Sequence, residues 1–233
     1  VKQRIGCLHA HYSNIAYIEK ALSAYEAELI HFVDPGLIAR MASDETFSLP
    51  EAERRVKEQV EWIAKCGVDA ILITCTNYIA ILQEDQLAVH VPIIKLDEPY
   101  FNYICDQDQP HILLFTNPAT VEGTMKRLHE YASALGKQPQ VEVQVIKDAF
   151  ELIMQGKKEQ YHIVLSAYIR NLLESEKGKL ISVAQLSMVE AVRDVQKETK
   201  VKLGDPLETL VSYLEENLFR RSDIEKLPPN VML

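Results

Sequence analysis

The 233-residue sequence lacks the features that would tie it to a membrane, a genome or a secretory route. No stretch approaches the roughly 20 consecutive apolar residues that a membrane-spanning helix needs. The most apolar run, 70–82, is interrupted by Thr74, Thr76 and Asn77. There is no basic excess either. A formal net charge of −9 argues against non-specific nucleic-acid binding, which requires a basic face to neutralise phosphates. The first residues show no signal-peptide pattern. They also lack an initiator Met, so a residue or a few are expected to be missing, and the expected compartment is the cytoplasm. Cys7, Cys66, Cys75 and Cys105 show neither zinc-ligand spacing nor a C-x-x-C pair. In a reducing compartment they are expected to be free thiols. Neither G-x-G-x-x-G after a strand nor G-x-x-x-x-G-K-S/T occurs, so no nucleotide cofactor is expected. Low-complexity segments and flexible linkers are missing as well.

What is present is an alternation. Apolar runs of strand length at 4–10, 28–34, 69–76, 91–97, 111–116, 141–146, 162–167 and 180–185 are separated by longer amphipathic segments. Near-continuous apolar strands between helices indicate parallel strands covered on both faces. Helix starts and stops support this. Ser48 with Glu51 makes a capping box, and Gly67 stops that helix after Cys66. Asn117-Pro118 fits an N-cap and first helical position. Asp148 with Glu151, Ser187 with Glu190, and Asp205-Pro206 with Glu208 repeat the same chemistry. The expected class is α/β, with two pseudo-symmetric, doubly wound parallel lobes. The first lobe takes 1–97 plus 206–233, and the second takes 98–205. The last helix, from Pro206 to about Arg220, is expected to pack back on one half.

The halves repeat a pattern of elements, and polar clusters recur at strand ends. His9, His11, Ser13 and Asn14 follow the first strand; Cys75, Thr76 and Asn77 follow the third. In the second half the counterparts are Thr116, Asn117 and Thr120, then Ser166, Ala167 and Tyr168. Ligands of open parallel sheets sit beyond the carboxyl ends of the strands. Free N–H groups at the following helix N-termini suit a carboxylate. Cys75 stands where a strand turns into a helix, a position that lowers a thiol's pKa toward the thiolate. The alternative for Cys75 is a small buried residue, and for the clusters, ordinary helix caps. His9 and His11 share a strand face, but no third ligand with suitable spacing accompanies them, so no metal is expected. Binding of a polar substrate by His9 at the rim, or a purely structural role, fits better.

These residues resemble a family. "LITCTNY" (72–78) is similar to the first cysteine motif of the aspartate/glutamate/hydantoin racemase superfamily, and "VPIIKLDEP" (91–99) to the strand and turn that follow it. "LLFTNPATVEGT" (113–124) resembles the threonine-rich opening of the second half, and "VAQLSMVEAV" (183–192) the segment after the second cysteine motif. The resemblance implies two pseudo-symmetric lobes with the active site in a cleft between them and no cofactor. Its racemases place one cysteine on each side of a substrate's α-carbon. Relatives include maleate isomerases and arylmalonate decarboxylases, the latter with a single cysteine. A small carboxylate or amino acid is the implied substrate, and a homodimer is a reasonable expectation.

The sequence departs from the racemase pattern where "IVLSAYI" (163–169) puts Ser166 at the second cysteine position. A serine hydroxyl is too weak an acid to act as a thiolate-like base unaided. One-thiol chemistry at a carbon next to a carboxylate is therefore expected, with Cys75 as acid/base or nucleophile. It could be racemase- or isomerase-like, with Tyr168 a candidate second base, or decarboxylase-like. A non-catalytic carboxylate sensor is the alternative from another class. Cys75 and Ser166 are expected as catalytic residues. His9, Ser13, Asn14, Thr76, Asn77, Thr116, Asn117, Thr120, Ala167 and Tyr168 are expected as substrate contacts.

Overall fold

The computed structural model describes residues 2–219. The expected placement of 220–233 in the first lobe, and of Arg220 at the end of the last helix, lies outside them. Two compact units emerge. One takes the chain up to Asp97 and again from Leu210; the other is Glu98–Thr209.

The first unit runs β1 (Gln3–His9), α1 (Asn14–Leu22), β2 (Ala27–Val33), α2 (Pro35–Ser43), α3 (Leu49–Ala64), β3 (Ala70–Ile73), α4 (Thr76–Ile81) and β4 (Ile93–Lys95). Its strands form a parallel sheet in the order β2-β1-β3-β4. All four residues of β3 are buried, as a central parallel strand requires. The capping box of Ser48 and Glu51 starts α3, whose buried Ala52, Val56, Val60 and Ile63 form the face packed on the sheet. Gly67 then takes φ +68, the left-handed value expected at the end of a helix.

The second unit runs α5 (Glu98–Cys105), β5 (His111–Phe115), α6 (Val121–Ala134), β6 (Val141–Val145), α7 (Ala149–Met154), α8 (Lys158–Ser175), β7 (Leu180–Val183) and α9 (Val189–Thr199). Its parallel sheet has the order β6-β5-β7. Asp205 starts the last helix, α10 (Pro206–Leu214), by accepting the N–H groups of Leu207 and Glu208 at 2.8 Å each. The division between the units falls within α10, and farther on Phe219 stacks on Tyr25 of the first unit.

One expected strand is not a strand. Residues 162–167 lie inside α8, whose buried Tyr161, Leu165, Ser166, Ile169 and Leu172 recur at helical spacing. The run reads as a strand because Ile163, Val164 and Leu165 are consecutive and apolar, yet Ile163 is 66% exposed. The strand beside β5 is therefore β7, which makes it the counterpart of β3. The fourth place in the sheet is marked by a single parallel bridge from Ser182 to Gly204. There the N–H of Val183 donates to the carbonyl of Gly204, and the N–H of Gly204 to Ile181. A Cβ at Gly204 would collide with the Ser182 side chain, so this approach needs glycine.

Ser166 consequently sits mid-helix with its hydroxyl buried and without a hydrogen-bond partner. Ser166→Ala removes that unsatisfied group and improves helix propensity, so a gain of about 1 kcal/mol in folding free energy is expected. Urea denaturation checks it; a loss of stability would contradict the placement.

Candidate active site

In the first unit the sheet delivers one thiol to its carboxyl edge. The last rung between β1 and β3 is the N–H of Thr74 donating to the carbonyl of Leu8 at 3.0 Å. The next residue, Cys75, has extended backbone angles (φ −110, ψ 116) and is the N-cap of α4. It is partly exposed as a residue but packs against the first unit's core.

The expected low thiol pKa is not what the site produces. Burial is the largest influence and raises the Cys75 pKa. The backbone N–H groups of Asn77 and Tyr78 pull it down, and the carboxylate of Asp97 pushes it up again. The net direction is upward from the ordinary thiol value. A six-residue helix brings few aligned peptides to its N-terminus, and two donors do not offset the desolvation of a thiolate. Cys75 thus rests as a thiol, a form that can give a proton. Burial also pushes Cys7 up to about 12 and raises Cys105.

The remaining first-unit residues divide. Thr76 is half-buried and Asn77 exposed in the first turn of α4. Asn14 donates its side-chain N–H to the Thr74 hydroxyl at 3.3 Å, which ties the start of α1 to the residue before Cys75. Ser13 is exposed and pairs with His11 at 2.8 Å, making no side-chain cap on α1. His9 is not at a rim. It is fully buried, with Nδ1 2.8 Å from the Thr74 hydroxyl and Nε2 2.9 Å from Nδ1 of His31. Burial, then the neighbouring His31, push its pKa down to about 4. No ring nitrogen of His9 is left for a substrate.

In the second unit the register identifies the counterpart of Cys75. Leu8 pairs with Ile73 and Leu114 with Val183. The N–H of Ala184 donates to Leu114 at 2.9 Å, as that of Thr74 does to Leu8. The next residue is Gln185. Its side-chain carbonyl accepts the N–H of Thr116 at 2.7 Å, the Thr116 hydroxyl at 2.9 Å and the N–H of Asn117 at 3.1 Å. The Thr116 oxygen is also 3.2 Å from the Tyr161 hydroxyl, which lies 2.9 Å from Ser187. Asn117 caps the following turn by accepting the N–H of Ala119, and Thr120 donates to the carbonyl of Asn117. Three donors converging on one oxygen make a carboxylate-like cradle, and here the chain's own amide fills it.

Ser166, Ala167 and Tyr168 do not follow a strand. All three lie within α8, with Ala167 exposed and the Tyr168 hydroxyl donating to Gln144 at 2.9 Å. Sequence reasoning missed Gln185, Tyr161 and Ser187. The available signal was the polar turn Gln185-Leu186-Ser187 directly after an apolar strand, obscured by the premature strand count. A surface hollow of about 340 Å³ in the first unit is lined by Asp34, Arg40, Arg54, Arg55 and neighbours. Its arginines pair with Asp44, Glu58 and Asp34, so it has little charge to offer a ligand.

No family model and no curated protein matches the sequence. Solved structures do match the fold. An aspartate racemase of Picrophilus torridus superposes with a TM-score of 0.66 at 12% identity, covering 92% of this chain and 93% of that one. A glutamate racemase of Francisella tularensis in complex with D-glutamate gives 0.65 at 17% identity, over 95% and 82% of the two chains. An allantoin racemase of Klebsiella pneumoniae gives 0.61 at 18% identity, over 92% and 87%. The chain therefore shares the α/β fold of the aspartate, glutamate and hydantoin-type racemases. Among the described residues no helix is long and apolar enough to cross a membrane.

Two measurements probe this chemistry. Iodoacetamide labelling of Cys75, read by mass spectrometry against pH, is expected to keep rising above pH 9, and Asp97→Asn is expected to accelerate it at pH 8. Removing a negative neighbour lowers the thiol pKa and raises the thiolate fraction. A plateau below pH 7 would contradict the protonated resting state. Separately, Gln185→Leu leaves three donors without their acceptor and is expected to cost about 1–3 kcal/mol in denaturant unfolding.

Proposed function

We propose that the protein is a cofactor-independent, racemase/isomerase-like enzyme that transfers a proton at a carbon adjacent to a carboxylate, with Cys75 as the acid/base group. The observation that carries this reading is Cys75 at the carboxyl end of β3, in a fold shared with racemases whose names give aspartate, glutamate and allantoin as substrates. The minor thiolate form takes the α-proton, the C–H electron pair passes into the enolate-like carboxylate, and the thiol so formed returns a solvent-exchanged proton to the same carbon; the N–H groups of Asn77 and Tyr78 meet the thiolate. Thr76 and Asn77, with Ser13 and Asn14, supply hydroxyl and amide groups for a small carboxylate or amino acid. Thr116, Asn117 and Thr120 serve a carboxylate only if Gln185 swings aside.

Gln185, not Ser166, holds in the second unit's sheet the place that Cys75 holds in the first. An amide neither gives nor takes a proton near neutral pH. With Cys75 as the one proton-transfer group, exchange or protonation with a fixed stereochemical outcome is favoured over two-base racemisation. A second reading, a carboxylate sensor without turnover, is favoured by the same amide and by the raised Cys75 pKa.

The test is deuterium wash-in from D2O at the α-carbon of a panel of amino and dicarboxylic acids. Exchange with retained configuration, abolished by Cys75→Ala, is the expected result. Thermal stabilisation by an acid without any exchange would leave the sensor reading in its place.

A further inference from the structure

Three donors that sequence spacing does not connect meet in the first unit. Cys7 and His9 sit two apart on β1, and His31 on β2 is in register with Cys7. One ligand atom from each lies within 4.8 Å of the others. Cys7 and His9 are fully buried, and the rings of His9 and His31 stack with centroids 5.1 Å apart.

The hydrogen bonds tie the two rings to their surroundings. The Thr74 oxygen accepts from Asn14 at 3.3 Å and lies 3.3 Å from the carbonyl of Leu8 and 2.8 Å from Nδ1 of His9. Its single proton goes either to Leu8, with His9 protonated on Nδ1, or to His9 Nδ1, with His9 protonated on Nε2. In both arrangements one proton is shared between Nε2 of His9 and Nδ1 of His31 at 2.9 Å. Nε2 of His31 is buried, without a hydrogen-bond partner, and 3.7 Å from the carboxylate of Glu19.

A cation between the rings uses all of these atoms. With His9 protonated on Nδ1 and His31 on Nε2, Thr74 and Glu19 each face a donor, and two imidazole lone pairs converge beside Cys7. Histidines that bind metals characteristically give their outer N–H to a carboxylate or another oxygen, as Glu19 and Thr74 would accept here. We infer that Cys7, His9 and His31 form a site for a divalent cation of the zinc class, oriented by Thr74 and Glu19. A zinc ion with bonds of about 2.0–2.1 Å to nitrogen places two tetrahedral nitrogens about 3.3 Å apart. The imidazoles need to open by a few tenths of an ångström, and the sulfur closes in by rotation about its Cα–Cβ bond. On binding, Cys7 loses its S–H proton to solvent, each neutral imidazole keeps its one proton on the nitrogen facing away from the ion, and water completes the fourth position. The ion would brace the end of β1 against Thr74, one residue before Cys75. The inference does not depend on what Cys75 does.

Cobalt(II) added to the metal-free full-length protein is the probe. One equivalent is expected to produce a thiolate-to-cobalt charge-transfer band with four-coordinate visible bands, and zinc(II) is expected to displace it. Cys7→Ser is expected to abolish the charge-transfer band and His31→Asn to abolish stoichiometric binding, with folding followed by circular dichroism. Glu19→Gln, on an exposed side chain that cannot endanger the fold, is expected to weaken zinc binding by about 10- to 100-fold. Cys75→Ser is expected to leave the band intact. The inference is overturned if wild type shows no stoichiometric band, if the band survives Cys7→Ser, if Glu19→Gln binds as wild type does, or if Cys75→Ser is the variant that loses it. Deuterium exchange that fails while this band appears would sink the proposed activity alone.

Discussion

Parallel strands of one sheet share a polarity, so their carboxyl ends reach a single edge. In the first unit the pairing of β1 with β3 turns that rule into chemistry. The rung from Thr74 to Leu8 fixes where β3 stops, and so which side chain leads into α4. The same rung holds Thr74 over β1, where its hydroxyl meets both His9 and Asn14. Slide the register by one residue and Cys75 would change faces, since successive strand side chains alternate. The thiol and the buried His9 thus rest on one backbone pairing, and disturbance of either strand would be felt by both.

Much of this was legible in the sequence because parallel strands are nearly uniform in apolarity. Seven of the eight expected runs hold strands whose ends lie no more than three residues from those expected, and the Ser48 box and the Gly67 stop stand where the local chemistry puts them. The run 162–167 deceived because three consecutive apolar residues do not reveal their period. The wider window does: Tyr161, Leu165, Ile169 and Leu172 recur at four, four and three residues, which only a helix brings onto one face. That single misreading shifted the count in the second half. It moved the polar turn from Gln185 to Ser166, and it hid the fourth strand position at Gly204.

The cluster of buried Cys7 and His9 with half-buried His31 was illegible for another reason. Ligand spacing is a local signature, and His9 with His11 looked like the natural pair. A strand end breaks that expectation. His9 is the last residue of β1, whereas His11 lies beyond it in an exposed turn with Ser13. The partner came from the neighbouring strand through sheet register, which no spacing rule on a single stretch of chain encodes.

The contrast between Cys75 and Gln185 shows how matching positions in two sheets can hold different chemistry. Each follows the last rung of a central strand pair, and each meets backbone N–H groups. At Cys75 the atom receiving those groups is a sulfur whose charged form is penalised by burial and by Asp97, so in the proposed reading the donors are held for charge that appears on proton transfer. At Gln185 the receiving atom is a neutral amide oxygen, and its three hydrogen bonds are already made in the resting protein. Donors that are satisfied at rest cannot stabilise a transition state without first releasing their occupant. On the proposed function, the first position is the one poised for reaction. The second is either a fixed strut or a cradle that opens only when a ligand oxygen replaces the amide, and replacement by a carboxylate is the exchange its donors favour most, because charged acceptors hold such hydrogen bonds about twice as strongly as neutral ones.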